Sequence, residues 1–140
     1  MLITIICIDG KFEKNINELK SDYWDAFIKF YEEGTPLIYN SNFSQLETKF
    51  VICNNTDTSN ISEINALNIF IFAHEIQNNI SMDCIMKYIK EKDISLSSNT
   101  RLKFKQIAEK INDRYSKLIL DAVNVIELNE YYLCKMIGLF

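Results

Sequence analysis

Glycine and proline are scarce. Three glycines and one proline in 140 residues leave no glycine-rich loop to cradle a phosphate, and no GxxxxGK[ST], GxGxxG or GxSxG run occurs. Gly10, Gly34 and Gly138 stand alone, as turn or cap positions. Histidine is scarcer: His74 is the single one. HExxH is therefore excluded, and a metal site would find neither a second histidine nor a cysteine pair. The residue reads as a histidine at the edge of a core, bonded to a neighbour. Cys7, Cys53, Cys84 and Cys134 are widely spaced with no CxxC pair, which predicts free, buried thiols in a reducing compartment. Long apolar runs are missing too. Leu2 to Ile8 is too short for a signal-peptide core and has no basic flank, and nothing approaches the roughly 20 apolar residues of a membrane span. Nor is there an excess of positive charge. The net charge of -4 argues against nucleic acid as a partner, since phosphate recognition needs a basic patch. The densest basic stretch, Arg101 to Lys110, alternates with apolar residues and reads as a solvated helix face. The carboxylates best placed for acid–base work, Glu32-Glu33 and Glu91/Asp93, fall at expected helix ends, where water reaches them. No catalytic, cofactor or metal site is expected.

What is present is material for a core. Apolar residues make up 48% of the chain, enough for one domain over residues 1–140. Residues 2–8 (LITIICI) are β-branched and read as a strand buried on both faces. Asp9-Gly10 is a hairpin turn signal, and Lys11 to Ile16 alternates as a second strand. Ser21 starts a helix, with Asp22 and Asp25 in its first turn and Trp24, Phe27, Ile28 and Tyr31 on one face; Gly34 and Pro36 stop it. A short strand at Leu37–Tyr39 lies in an otherwise loop-like stretch. Lys49 to Cys53 (KFVIC) reads as the third strand. Ser62 caps a helix from Glu63 to about Gln77, with Ile64, Leu67, Phe70, Ile71 and His74 on one side; because Ile69 to Ala73 is apolar all round, this helix is expected to be central. Asn78-Asn79 breaks it. Met82 to Lys92 follows with Ile85, Met86 and Ile89 inward, then Thr100 to Asp113 with Phe104, Ile107, Ala108 and Ile111 inward.

The last quarter reads as two amphipathic helices. Tyr115, Leu118, Ile119, Ala122 and Ile126 share a face. After a corner, Asn129 caps a second helix striped with Tyr132, Leu133, Met136, Ile137 and Phe140.

The order strand, Asp-Gly turn, strand, helix, strand, helix, then a late helix pair resembles the BTB/POZ fold, within it the Skp1 and elongin C branch. Ile3 to Phe12 (ITIICIDGKF) is similar to that family's opening strand, turn and second strand. Lys49 to Ile76 is similar to its third strand, polar bend and next helix. Ile119 to Leu128 (ILDAVNVIEL) resembles its L-x-x-A-A-N-[YF]-L-[DE]-[IC], with Val123 where alanine is usual and Val125 where an aromatic is usual. The segment 78–113 has more helical pattern than elongin C, whereas Skp1 carries an acidic loop there. The Skp1 extension that grips F-box proteins is largely missing after Phe140.

The resemblance implies an α+β fold, with a small three-stranded sheet in the N-terminal half covered by helices and a helical C-terminal half. It implies a non-enzymatic adaptor in the cytoplasm or nucleus, with protein partners and neither nucleic acid nor membrane: one face on a cullin, another on a substrate receptor. Carried over, Tyr131, Tyr132, Met136 and Phe140 are receptor-contact candidates, with packing on the domain's own core as the alternative. His74, Ile76 and Ile80 are the cullin-facing candidates. Two rivals stand beside it. One is a BTB-type self-association module without a ubiquitin role. The other is a small helical interaction protein of the viral Bcl-2-like kind, a fold that begins with a helix.

Overall fold

Alternation in the first strand sets the sheet. β1 (Leu2–Cys7) turns Ile3, Ile5 and Cys7 inward and leaves Leu2 and Ile6 exposed, as the two-residue period of a strand requires. The expectation of burial on both faces is thus corrected: one face of this β-branched run is open. A computed structural model describes residues 1–30, 34–92 and 95–123. Together these form an α+β protein with a small three-stranded mixed sheet at the N-terminal end and six helices among the described residues. No helix among them is long and apolar enough to cross a membrane.

β2 (Gly10–Asn15) runs antiparallel to β1, from Leu2 opposite Asn15 to Cys7 opposite Gly10. The loop is therefore Ile8–Asp9, one position earlier than expected. Asp9 and Gly10 serve a further element as well: Asp9 Oδ1 accepts the Gln45 N–H at 2.8 Å and the Asp9 carbonyl accepts from Gln45 Nε2 at 3.2 Å. Gly10 has φ +149°, which side chains rarely adopt, and a Cβ there would push the Gln45 amide off the Asp9 carbonyl, so the backbone conformation favours glycine and the contact adds to it.

A 3-10 turn (Ile16–Glu18) and α1 (Asp22–Lys29) then lead to β3 (Ile38–Asn40). Ser21 caps α1 by accepting the Trp24 N–H at 3.2 Å. β3 lies parallel to β1 on the side away from β2, with Ile5 opposite Tyr39, giving the order β2-β1-β3.

The third strand is not where KFVIC predicted it. Residues 49–52 form the end of α2 (Gln45–Ile52), with Cys53 as its C-cap, and its inward side carries Phe50, Val51 and Ile52. A capping box starts this helix: Ser44 Oγ accepts the Glu47 N–H at 3.2 Å and Glu47 Oε1 accepts the Ser44 N–H at 3.1 Å. Two orphan donors are satisfied reciprocally, and that outweighs the β-propensity of Phe50-Val51-Ile52.

The chain packs as two compact units, Met1–Asp57 with Asn68–Met82, and Thr58–Leu67 with the described residues from Asp83 onward. α3 (Glu63–Glu75) and α4 (Asn79–Lys92) each contribute to both. In the first unit Tyr39 is the aromatic hub. Its ring lies 4.8 Å from Trp24, 5.2 Å from Phe27 and 6.4 Å from Phe72, and its hydroxyl meets that of Tyr23 at 3.0 Å. Such edge-on pairs add to the area they bury.

In the second unit α4 buries Ile85, Met86 and Ile89 as expected, and Tyr88 in addition. α5 (Ser98–Ile111) buries Phe104 and Ala108, and also Thr100 and Arg101. Arg101 is thus no part of a solvated basic face, and its Nη2 donates to Ser98 Oγ at 2.9 Å. Glu63 holds the start of α5: Oε1 accepts the Ser97 N–H at 2.9 Å and Oε2 accepts from Thr100 Oγ1 at 3.0 Å. Helical residues 114–123 bury Tyr115, Ile119 and Val123, whereas Leu118 is exposed. Ile64 is also exposed, against expectation, because α3 buries the neighbouring arc of Ala66, Leu67, Ile69 and Phe70. Tyr31, Ile126 and the second C-terminal helix lie outside the described residues.

Two outcomes follow for stability. Burial, first, and then the Tyr23 hydroxyl hold the Tyr39 phenol above its ordinary range; burial does the same for Tyr88 and Tyr115. In the unfolded chain phenols titrate near about 10. Above that pH the unfolded state loses protons that the native state keeps, so the stabilisation, complete below pH about 10, falls as pH rises. Thermal melts followed by circular dichroism are expected to show this decline, and Tyr39→Phe to reduce it. For Glu63, burial raises the carboxyl pKa, but bonds from Ser97 and Thr100 outweigh it and the net shift is downward. Its contribution is complete above about pH 4.3 and is lost as pH falls further. Glu63→Gln is expected to cost about 1 kcal/mol at neutral pH and to flatten that acid limb in denaturant titrations.

Candidate partner-binding site

Two helix ends meet in the first unit, and both close in the same way. After α2, Asn54 adopts the left-handed conformation (φ 51°), with Asn54 N–H donating to Val51 O at 3.1 Å and Asn55 N–H to Phe50 O at 2.9 Å. After α3, Gln77 does the same (φ 57°), with Gln77 N–H donating to His74 O at 3.2 Å and Asn78 N–H to Ala73 O at 2.8 Å. Each is a Schellman closure with an amide residue where glycine is usual. Asn78 joins them. Its Nδ2 donates to Val51 O at 3.0 Å and to Asn54 Oδ1 at 2.8 Å, while its Oδ1 accepts the Ser81 N–H at 3.0 Å. One side chain therefore caps the end of α2 and the start of α4. Its sequence reading as a helix breaker missed this, although asparagine ahead of a helix is also an N-cap signal.

Beside this junction lies a half-open depression of about 200 Å³. Its apolar wall is Leu19, Trp24, Ile52, Ile76 and Ile80; its rim is Glu18, Lys20, Ser21, Asn54, Gln77, Asn78 and Asn79. Trp24 is fixed from behind by Tyr39 and by the Ser21 cap. Glu18 is paired with Lys14 at 2.7 Å.

Of the residues that sequence pointed to, Ile76 and Ile80 come together in this wall. Ile76 is 3% exposed and Ile80 52%, so the first mainly supports and the second presents itself. His74 is half-buried, stacks on Phe70 at 6.5 Å and does not line the depression. Tyr131, Tyr132, Met136 and Phe140 lie outside the described residues. Leu19, Trp24 and Ile52 were not expected here; Trp24 had been read only as part of the inward stripe of α1.

Among the described residues no group of three or more metal-ligating side chains comes together. Cys7 is buried, Cys84 half-buried and Cys53 exposed, so burial of the thiols holds only in part. Burial raises the Cys7 and Cys84 pKa values, which disfavours a nucleophilic thiolate. Cys134 lies outside the described residues.

Comparison with known proteins finds no matching family model, no matching curated protein and no matching solved structure.

The two isoleucines separate stability from surface. Ile76→Ala removes a fully packed side chain and is expected to cost about 2–4 kcal/mol. Ile80→Ala is expected to stay within about 0.5 kcal/mol of the parent. Urea midpoints of the two variants check this.

Proposed function

We propose that the chain is a non-enzymatic adaptor resembling Skp1 and elongin C, built on a BTB/POZ-like domain and linking a cullin scaffold to a substrate receptor. The observation that carries the reading is the order of elements. A hairpin, α1, a strand and α2 follow one another in the order the resemblance implies, but the strand is Ile38–Asn40, and Lys49 to Ile52, matched to the family's third strand, is helical. The segment Ile3 to Phe12 falls on the hairpin, and Ile119 to Val123 falls on a helix that buries Ile119 and Val123. The depression beside Trp24 supplies a place for a partner's side chain, and it includes two of the three positions carried over for cullin contact. A cytoplasmic or nuclear location accompanies this role.

A second reading, self-association without a ubiquitin role, draws support from the open sheet face. Leu2, Ile6 and Ile38 share it, with Ile8 at its end, and all are exposed. The opening hairpin weighs against a Bcl-2-like helical protein, which would begin with a helix.

Titration calorimetry against cullin N-terminal domains is the test. A complex at micromolar concentration is expected, and failure with every cullin overturns the adaptor reading. Sedimentation of the chain alone addresses the second reading, since a strict monomer excludes it.

A further inference from the structure

The depression is small. Sites for drug-sized ligands occupy roughly 300–1,000 Å³, whereas this one holds about 200 Å³, the scale of a single large side chain. Its wall, built from Leu19, Trp24, Ile52, Ile76 and Ile80, is aliphatic around one indole, which suits a branched aliphatic anchor.

The polar rim then decides what flanks the anchor. Asn78 has both amide atoms engaged. Glu18 is neutralised by Lys14. Lys20 makes no ion pair among the described residues, and neither Nδ2 of Asn54 nor the Gln77 side-chain amide is engaged there. Donors and acceptors are both present on the rim, with Glu18 Oε1 and the Gln77 oxygen among the acceptors, and Lys20 is the rim charge without an ion-pair partner among the described residues. Its ammonium favours an occupant that brings a carboxylate close to it.

We propose that this depression docks an extended segment of a partner protein through one leucine-like side chain, with an acidic residue one or two positions away set against Lys20. The proposal rests on the adaptor reading only in taking the partner to be a protein. The occupant is recognised by an apolar anchor in a pocket, a pattern in which one buried side chain carries most of the affinity, and by a rim charge that adds selectivity.

Trp24 is the only tryptophan in the chain and forms part of the wall, so its emission reports occupancy directly. The probes are synthetic glycine–serine peptides carrying one leucine and, two residues on, one aspartate, with matched peptides in which leucine is alanine or aspartate is asparagine. A saturable emission change is expected for the leucine–aspartate peptide and none for the alanine peptide. Binding of the asparagine peptide is expected to be about three- to fivefold weaker, the size of an exposed ion pair. Lys20→Met is expected to erase the aspartate preference while keeping the leucine dependence, and Ile80→Gln to weaken both peptides alike. Equal binding of the alanine peptide, or an aspartate preference unchanged in Lys20→Met, overturns the proposal. Neither result depends on cullin binding. Peptide recognition without a cullin complex would leave this inference standing and remove the adaptor reading, and the reverse outcome would do the opposite.

Discussion

The first unit depends on Tyr39. It is the one inward residue of a three-residue strand, yet it meets the sheet through its pairing with Ile5, α1 through Trp24 and Phe27, and α3 through Phe72. A strand so short has little ladder to hold it. The aromatic contacts fix β3 against β1, and through Trp24 they also fix the wall of the depression. Shape at the surface is thus set by a ring that does not line it.

Asn78 plays the corresponding part for the rim. Two helices end and a third begins around this one side chain, and each end leaves unsatisfied backbone groups. A single amide offers a donor to one end and an acceptor to another, so the junction closes without glycine. Left-handed backbone at Asn54 and Gln77 is tolerated because both helix ends are already bonded. The same arrangement leaves Lys20, Gln77 and part of Asn54 uncommitted among the described residues, and these give the rim its character.

Much of the fold could be read from local signals. The hairpin, the Ser21 cap, the β3 region and the inward residues of α4 are near where periodicity and capping put them. The errors have physical causes. KFVIC has strand composition, with four apolar residues in a row, but Ser44 and Glu47 ahead of it form a capping box, a four-residue signal that starts a helix. β1 was expected to be covered on both faces because it is uniformly β-branched; composition does not record which neighbours exist. Arg101 looked solvated by charge alone, whereas its position on α5 puts it beside Thr100 on the buried side. The depression was legible only at Ile76 and Ile80. Leu19 and Trp24 come from around the start of α1 and Ile52 from the end of α2, and no local pattern reports that they converge.

The way the two units share the chain has a consequence for its birth. The first unit needs residues from both Met1 and Met82, with ten residues of the second between its parts. A ribosome adds roughly 5–20 residues per second, so Ile3, Ile5 and Tyr39 emerge well before Phe70, Phe72 and Ile76 exist to cover them. For that interval the nascent hairpin carries apolar surface on both sides, the condition under which chaperones bind and strands mispair. No single cut separates the units either, because each is threaded through the other along the sequence. Losing the stretch after Asp57 would therefore strip Phe70, Phe72 and Ile76 from the first unit and leave the Tyr39 ring only its aromatic contacts with α1.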